Sequence, residues 1–362
     1  MKPYEPKNLP LENLNWVSFV EKIARANYTI AVFEGILKAV VNPSILLSPL
    51  NRKEAILSSK IEGTQATLQE VLEFEADPDN NSGKFEDIQE VLNYRKTLYE
   101  AENLLKKKPM NINDIKSLHF ILLDSVRGQG MAKGQFRNDQ NWIGKPGSKI
   151  DDAYFIPPKY SSIQNYMNNW EKYWHSDEKD KIVQMAILHA QFEIIHPFKD
   201  GNGRLGRIFI PLFLFEKKLL SSPVFYMSEY LEENREEYYF KLRNISDHDD
   251  WNGWIDFFLN GFINQAEKNS KRAEKILSLY EKMKRDIHSL HTSFALPALD
   301  TLFTMPVFNT NGFIRYSGIP KASALRLINQ LEELNIIINN KKGRGRHPGI
   351  FSFPELIKIT EE

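Results

Sequence analysis

The stretch HPFKDGNGRLGR, from His196 to Arg207, carries most of the legible chemistry of this chain. It holds a base in His196, a carboxylate suited to a metal in Asp200, a glycine-rich turn in Gly201, Asn202 and Gly203, and arginines at 204 and 207. Small or turn-tolerant residues let backbone N–H groups converge on an anion. Arg204 opens an apolar run that reads as a new helix, whose N-terminus favours negative charge. Arg204 and Arg207 are three apart, so they share one face of its first turn and can grip a polyphosphate with planar, bidentate forks. The combination reads as phosphate chemistry, because packing alone does not call for these residue types together.

The elements around this stretch must position it. Residues 182–195 are apolar at helical spacing (Ile182, Met185, Ala186, Leu188, Phe192, Ile195), and Pro197 disfavours helical geometry at the residue before it. His196 therefore stands where a buried helix ends, and Phe198 anchors the following loop in the core. His189, on the same helix but without such company, reads as structural. Further helical patterns run over 16–40, 84–106, 112–123, 163–174, 204–220, 235–244 and 251–287, so the chain is mainly α. Pro211 is expected to kink the helix opened by Arg204. Residues 136–143 and 153–156 look extended around the turn GKPGSK, which predicts a β-hairpin flap near the site.

The 362 residues imply two or three domains, and 42% hydrophobic with 26% charged residues is ordinary for a soluble globular protein. Lys plus Arg and Asp plus Glu are 47 each, so no global field draws the chain to nucleic acid or to a membrane. With no cysteine, disulfides, thiolate nucleophiles and Cys-type zinc sites are excluded. The amino terminus lacks the apolar core of a signal peptide, and no apolar run is long enough to span a bilayer, which predicts a cytoplasmic address with no membrane partner. The expected division is a helical cap at 1–80 ending in the loop DPDNNSGK, a core at 81–264, a charged linker helix in 265–293 and a further domain at 294–362. In that last part the order helix, helix, helix, hairpin matches the plan of a winged helix-turn-helix.

The central string matches position for position the HPFx[DE]GN[GK]RxxR signature of the Fic family, and the chain resembles that family over most of its length. Ser58, Glu62 and Gly63 resemble its [ST]xxxE[GN] inhibitory motif, here on an amino-terminal helix, while RNDQNWIG and YFIPP resemble its flap. The resemblance implies a Fic-type helical core with a short flap and a carboxy-terminal winged helix. It also implies a protein adenylyltransferase that moves AMP from ATP to a Tyr, Thr or Ser hydroxyl of a target protein or of itself. His196, with a reference pKa of about 6.5, would deprotonate that hydroxyl. Asp200 would hold Mg2+ bridging the α- and β-phosphates. Backbone groups of Gly201 to Gly203, with the Asn202 side chain, would stabilise charge on those phosphates. Arg204 would hold the β-phosphate and Arg207 the γ-phosphate, with Leu205 and Gly206 completing the nucleotide loop.

Glu62, paired with Arg207, would deny that arginine to ATP, with Ser58 four residues earlier orienting or capping the turn that aims it. In YLEENREEYYFKLRNI the resemblance places Tyr239 against adenine and Asn234 close to the nucleoside; Tyr238 is the rival aromatic, and one of the two is packing only. Gln140, Asn141 and Trp142 of the flap are candidate target contacts, and the flap edge could pair with an extended target segment. A homodimer rests on analogy alone. The basic turn Lys341 to Arg346, with Lys321 and Arg326, marks where DNA would bind if the last domain takes it. Alternative readings are transfer of another nucleotide, removal of AMP with Glu62 positioning water, and a DNA-binding regulator with a nucleotide-sensing body.

Overall fold

Apolar periodicity translates into helices almost everywhere it occurs. The structure, a computed structural model, describes residues 2–39, 42–43, 47–78, 83–124, 130–145, 147, 149–288, 290, 292–341, 343 and 348–362. Its helices are α1 (Trp16–Ala39), α2 (Ser48–Ile61), α3 (Leu68–Ala76), α4 (Phe85–Leu105), α5 (Ile112–Leu122), α6 (Ile163–His175), α7 (Lys181–Ile195), α8 (Asn202–Glu216), α9 (Ser228–Glu233), α10 (Arg235–His248) and α11 (Trp251–His288). The carboxy-terminal unit follows with α12 (Ala295–Thr304), β1 (Val307–Asn309), α13 (Thr310–Ser317), α14 (Lys321–Glu333), β2 (Ile338–Lys341), β3 (Ile350–Ser352) and α15 (Pro354–Glu361). The chain is mainly α, with a single small sheet among the described residues. The apolar periodicity picks out neither α3, α9 nor α15, each too short for a repeating pattern to stand out.

At the centre α7 packs against α8, with α6, α10, α11 and α1 around it. The N-terminus of α7 is capped by Asp180, whose carboxylate accepts from Ile182 and Val183 N–H at 2.9 Å. Almost every side chain of α7 is buried, including Phe192 and Ile195. Helix α8 continues through Pro211 to Glu216. Residues 208–214 are buried all round, and that packing holds the helix across the one donor proline removes.

The flap departs from expectation. Among the described residues one antiparallel bridge, in place of a ladder, joins Ile143 and Phe155, with Ile143 N–H donating to Phe155 O at 2.9 Å. The neighbouring backbone groups are engaged elsewhere. Arg137 N–H donates to Pro197 O at 2.9 Å and the Tyr4 N–H to Ile156 O at 2.9 Å, so no partner strand can claim them. Positions 146 and 148 of the flap turn, 79–82 of the expected loop, and 342 and 344–347 of the basic turn lie outside the described residues.

In the carboxy-terminal unit β1 precedes the second helix of the expected order, with Asn309 capping α13 by accepting from Gly312 N–H. The sheet is antiparallel in the order β1-β3-β2, with Phe308 opposite Phe351. This unit does not stand apart. The main core continues into it through Leu299, Phe303 and Leu356, and α11 passes unbroken through position 264. A separate apolar cluster of Leu72, Ala76, Val307 and Ile350 locks α3 to β1 and β3. Asn309 Nδ2 donates to the Ala76 carbonyl and Lys53 Nζ to the Glu361 carbonyl. Thus α2 and α3 are held between the central helices and the carboxy-terminal unit.

Leu72 is 1% exposed. Leu72→Ala is expected to cost about 2–5 kcal/mol and to lower the thermal unfolding midpoint, whereas Leu72→Met should cost under about 1.5 kcal/mol.

Candidate functional site

The end of α7 and the start of α8 turn about a short loop, and that loop is built by backbone geometry that only its neighbours can sustain. His196 adopts a left-handed conformation, φ 47° and ψ 60°, which costs energy for a residue with a Cβ. Its N–H still donates to Phe192 O at 3.0 Å, and its carbonyl accepts from Arg137 Nε at 2.9 Å. Arg137 also donates to Asp139 O and, at 2.5 Å, to Pro158 O, so one buried guanidinium ties the turn at His196 to both limbs of the flap. Burial pushes Arg137 down to about 10, which leaves it charged at neutral pH.

The His196 ring is oriented by its Nδ1, which lies 3.3 Å from Glu193 O. A carbonyl only accepts, so Nδ1 carries the proton and Nε2 is left as the basic nitrogen. Burial lowers the imidazole to about 4, a pull that Glu193 O, Glu62 and Asp200 only partly offset. The ring is therefore neutral and able to accept a proton at pH 7.

Phe198 anchors the loop as expected. It is buried and stacked on His119 with ring centroids 3.7 Å apart. His119 accepts from Gly134 N–H at Nδ1 and donates from Nε2 to Asp200 O, both at 2.9 Å. Burial holds it at about 4, so it is a neutral brace between flap and loop. The Asn202 side chain closes the loop: it accepts from Phe198 N–H and donates to Phe198 O, both at 2.9 Å.

Helix α8 starts at Gly201, φ 77°, with no side chain capping it. Into this region comes Glu62. A Cβ at Gly203 would lie 2.2 Å from Glu62 Oε1, so the glycine is what admits the carboxylate to the first turn of α8, where the helix dipole favours an anion. Glu62 Oε1 accepts from Arg207 NH2 at 2.6 Å. Arg207, 1% exposed, also donates from Nε to Ser58 Oγ at 2.8 Å and from NH2 to Ser58 O at 2.9 Å. Ser58 thus grips the arginine and does not cap the Glu62 turn. Burial opposes charge on both partners, but each outweighs it for the other: Glu62 is held below its ordinary range and Arg207 above its own. Gly63, φ 102°, ends the segment.

Arg204 takes a different direction from Arg207. Its NH2 lies 3.4 Å from Asp200 Oδ2 and its NH1 3.3 Å from Glu90 Oε2, while its buried Nε has no hydrogen-bond partner. Glu90 also accepts from Thr64 Oγ1 at 2.8 Å, which ties the turn after Glu62 to the same carboxylate. The two arginines are thus parted, because α4 supplies a carboxylate on one side and α2 on the other.

A cavity of about 850 Å³ opens beside His196, lined by Glu62, Gly203, Arg207, Glu193, flap residues Trp142 and Tyr154, and Arg235 and Tyr239 of α10. Tyr239 is 44% exposed on its wall; Tyr238 is buried and 3.0 Å from His189 Nε2. His189, also bonded to Gly206 O, is a core residue as expected. Asn234 is not on the wall; its amide donates to Tyr230 O at 2.9 Å and closes the turn between α9 and α10. Leu205 is fully buried, and Gly206 makes room for the Glu193 carboxyl, which a Cβ would approach to 2.3 Å. Neither presents a side chain to a nucleotide. Gln140 donates to Pro157 O at 2.9 Å within the flap, and Asn141 to Phe198 O at 3.5 Å. Sequence reasoning assigned no role to Arg137, His119, Glu90, Arg235 or Glu193, although Arg137 opens the flap string RNDQNWIG and Arg235 lies within YLEENREEYYFKLRNI.

Two family profiles match: the Fic/DOC family N-terminal over residues 20–103 and the Fic/DOC family over 109–214. A probable protein adenylyltransferase of Aquifex aeolicus is 29% identical over 204 residues, 56% of this chain and 57% of that protein. The protein adenylyltransferase Fic of Drosophila ananassae is 29% identical over 113 residues, 30% of this chain and 20% of that one. The chain therefore aligns with little more than half of the former and a fifth of the latter. Among solved structures, a Fic family protein from Desulfovibrio desulfuricans superposes with a TM-score of 0.59 at 18% identity, covering 98% of each chain. Fic-1 of C. elegans gives 0.52 at 19% identity over 70% of this chain and 73% of that one. These structural likenesses establish the fold.

Replacing Arg137 by Met keeps the stem and removes the donor from three carbonyls, that of Pro158 buried and those of His196 and Asp139 partly so. A loss of about 2–4 kcal/mol is expected from the unmade bonds, read as a lower urea midpoint.

Proposed function

Since the chain belongs to the Fic/DOC family, we propose that it is a protein adenylyltransferase, held inactive by Glu62, that transfers AMP from ATP to a hydroxyl side chain of a protein. The observation that carries this reading is Arg207, a buried cation whose charge is met by a carboxylate on a separate helix at 2.6 Å, beside a cavity lined by a neutral histidine. A polyphosphate is the ligand whose charge can replace that carboxylate.

In this reading His196 Nε2 takes the proton of the incoming hydroxyl. The freed oxygen attacks the α-phosphorus and pyrophosphate leaves, with no covalent intermediate on the protein. Nδ1, held by Glu193 O, keeps the ring in the required tautomer. The uncapped start of α8 faces the developing negative charge. Arg207, once released by Glu62, holds the γ-phosphate. Arg204 holds the β-phosphate, and its unpartnered Nε is consistent with a further acceptor. Tyr239 stands against adenine.

Magnesium arrives with the nucleotide. No cluster among the described residues could cage a metal alone. Asp200 fits a cation that is otherwise held by phosphates and water: its side chain is 44% exposed, and only Oδ1 is engaged by a backbone N–H. Bound there, the cation neutralises phosphate charge. We read residues 294–362 as a winged helix on the order of its elements.

With labelled ATP and magnesium, Glu62→Gly is expected to raise incorporation into the protein or a target, and His196→Ala to reduce it by about 10²–10⁴-fold. Equal labelling by wild type and Glu62→Gly would argue against the brake. With His196 lowered to about 4 by burial, kcat/KM of Glu62→Gly should hold down to about pH 5 and fall only near the histidine's own pKa; a limb near 6.5 would contradict this assignment.

A further inference from the structure

Glu193 is a carboxyl the mechanism leaves unused. It stands three residues before His196, on the same face of the last turn of α7, and lines the same cavity as Glu62, Arg207 and Tyr239. Its backbone carbonyl already orients His196. Its Oε1 is shielded from solvent and has no hydrogen-bond partner. Such an atom costs about 1–3 kcal/mol when left unmet, so it sits either as a defect or as half of a contact completed by a ligand. Gly206 argues for the second. This glycine opens the space the carboxyl occupies, since a Cβ would fall 2.3 Å from Oε1, and it lies next to Arg207, where the phosphate chain would be held.

A carboxylate repels a polyphosphate and a carboxylic acid does not, because the acid carries an O–H that can donate to a phosphate oxygen. Resting on the nucleotide reading above, we propose that Glu193 is a phosphate-binding residue of this cavity: as the neutral acid it donates a hydrogen bond to the polyphosphate, and once ionised it repels the ligand and competes for Arg207.

The groups facing Glu193 set its charge. Arg207 on α8 attracts a proton away, while Glu62 beyond the end of α2 repels ionisation. Tyr238, Tyr239 and Arg235 approach from α10, and His196 lies one turn along. Burial dominates and, with Glu62, pushes Glu193 up to about 8, so the acid form prevails at pH 7. The sign follows. ATP affinity is full below the folded pKa and is lost as pH rises through it. Removing Glu62 removes one cause of the rise, so in Glu62→Gly the loss begins below pH 8.

The test is calorimetric titration of ATP with magnesium into full-length Glu62→Gly and Glu62→Gly/Glu193→Gln, from pH 6 to 9, in buffers of different ionisation enthalpy. In Glu62→Gly the affinity is expected to fall by up to about tenfold per pH unit at the alkaline end, with proton uptake on binding. The amide donates at every pH, so the double variant should bind without that extra fall and without uptake. ATP's own titration is common to both proteins and cancels. Parallel profiles with equal proton counts overturn the proposal. Should the double variant fail to fold, absence of proton uptake by Glu62→Gly between pH 8 and 9 overturns it alone. Failure of Glu62→Gly to bind ATP at any pH overturns the nucleotide reading, and this one with it.

Discussion

The contact between Glu62 and Arg207 is the one on which the site's state depends. A guanidinium 1% exposed to solvent is expensive unless its charge is met and its donors engaged. Here both conditions are supplied by the end of one helix, through the Glu62 carboxylate and the hydroxyl and carbonyl of Ser58. The same bonds that make Arg207 tolerable in the core withhold it from the cavity. Any ligand that frees it must bring negative charge of its own, because leaving the arginine buried and unmatched would cost more than the contact it replaces.

Around that pair, precision comes from groups that carry little net charge themselves. The left-handed turn at His196 is held by main-chain bonds and by Arg137, a cation that meets carbonyls at 2.9, 3.0 and 2.5 Å. His119 and His196 are both lowered to about 4 by burial, and both are oriented by backbone partners. Neutral imidazoles in fixed tautomers give one a bracing role and leave the other with an open lone pair. Because the flap's inner backbone groups bond to the loop and to Arg137, the flap is positioned by the turn at His196 and not by a sheet.

The segment that carries Glu62 is also wedged mechanically. Helix α2 touches α4, α8 and α9 on one side and α12 and α15 on the other, and α3 closes against β1 and β3 through Leu72, Ala76, Val307 and Ile350. The turn between α2 and α3 is pinned by Glu90 and Asp87 of α4, the former also facing Arg204, and Arg235 of α10 donates to Ile61 O at 2.6 Å. Displacing Glu62 therefore disturbs contacts that reach from the phosphate loop to the last helix.

What the amino-acid sequence determined by itself was local and periodic. The long helices, the end of α7 before Pro197, the turn at Gly201 and the motif's residue types follow from spacing and from the conformational limits of proline and glycine, and the text around Ser58, Glu62 and Gly63 pointed to an inhibitory helix. Tertiary structure decided which of those residues face which. It sent Arg204 toward Glu90 and Arg207 toward Glu62, turned the Asn202 and Asn234 amides to close turns, carried α8 on through Pro211, and gave the flap one bridge among its described residues. It also brought His119 and Glu193 to the site from positions that no motif marks, and gave Arg137 of the flap string its bracing role. The reason is that direction and protonation of a buried polar group depend on what surrounds it in space, and contacts such as Arg207 with Ser58, 149 residues apart, leave no periodic trace along the chain.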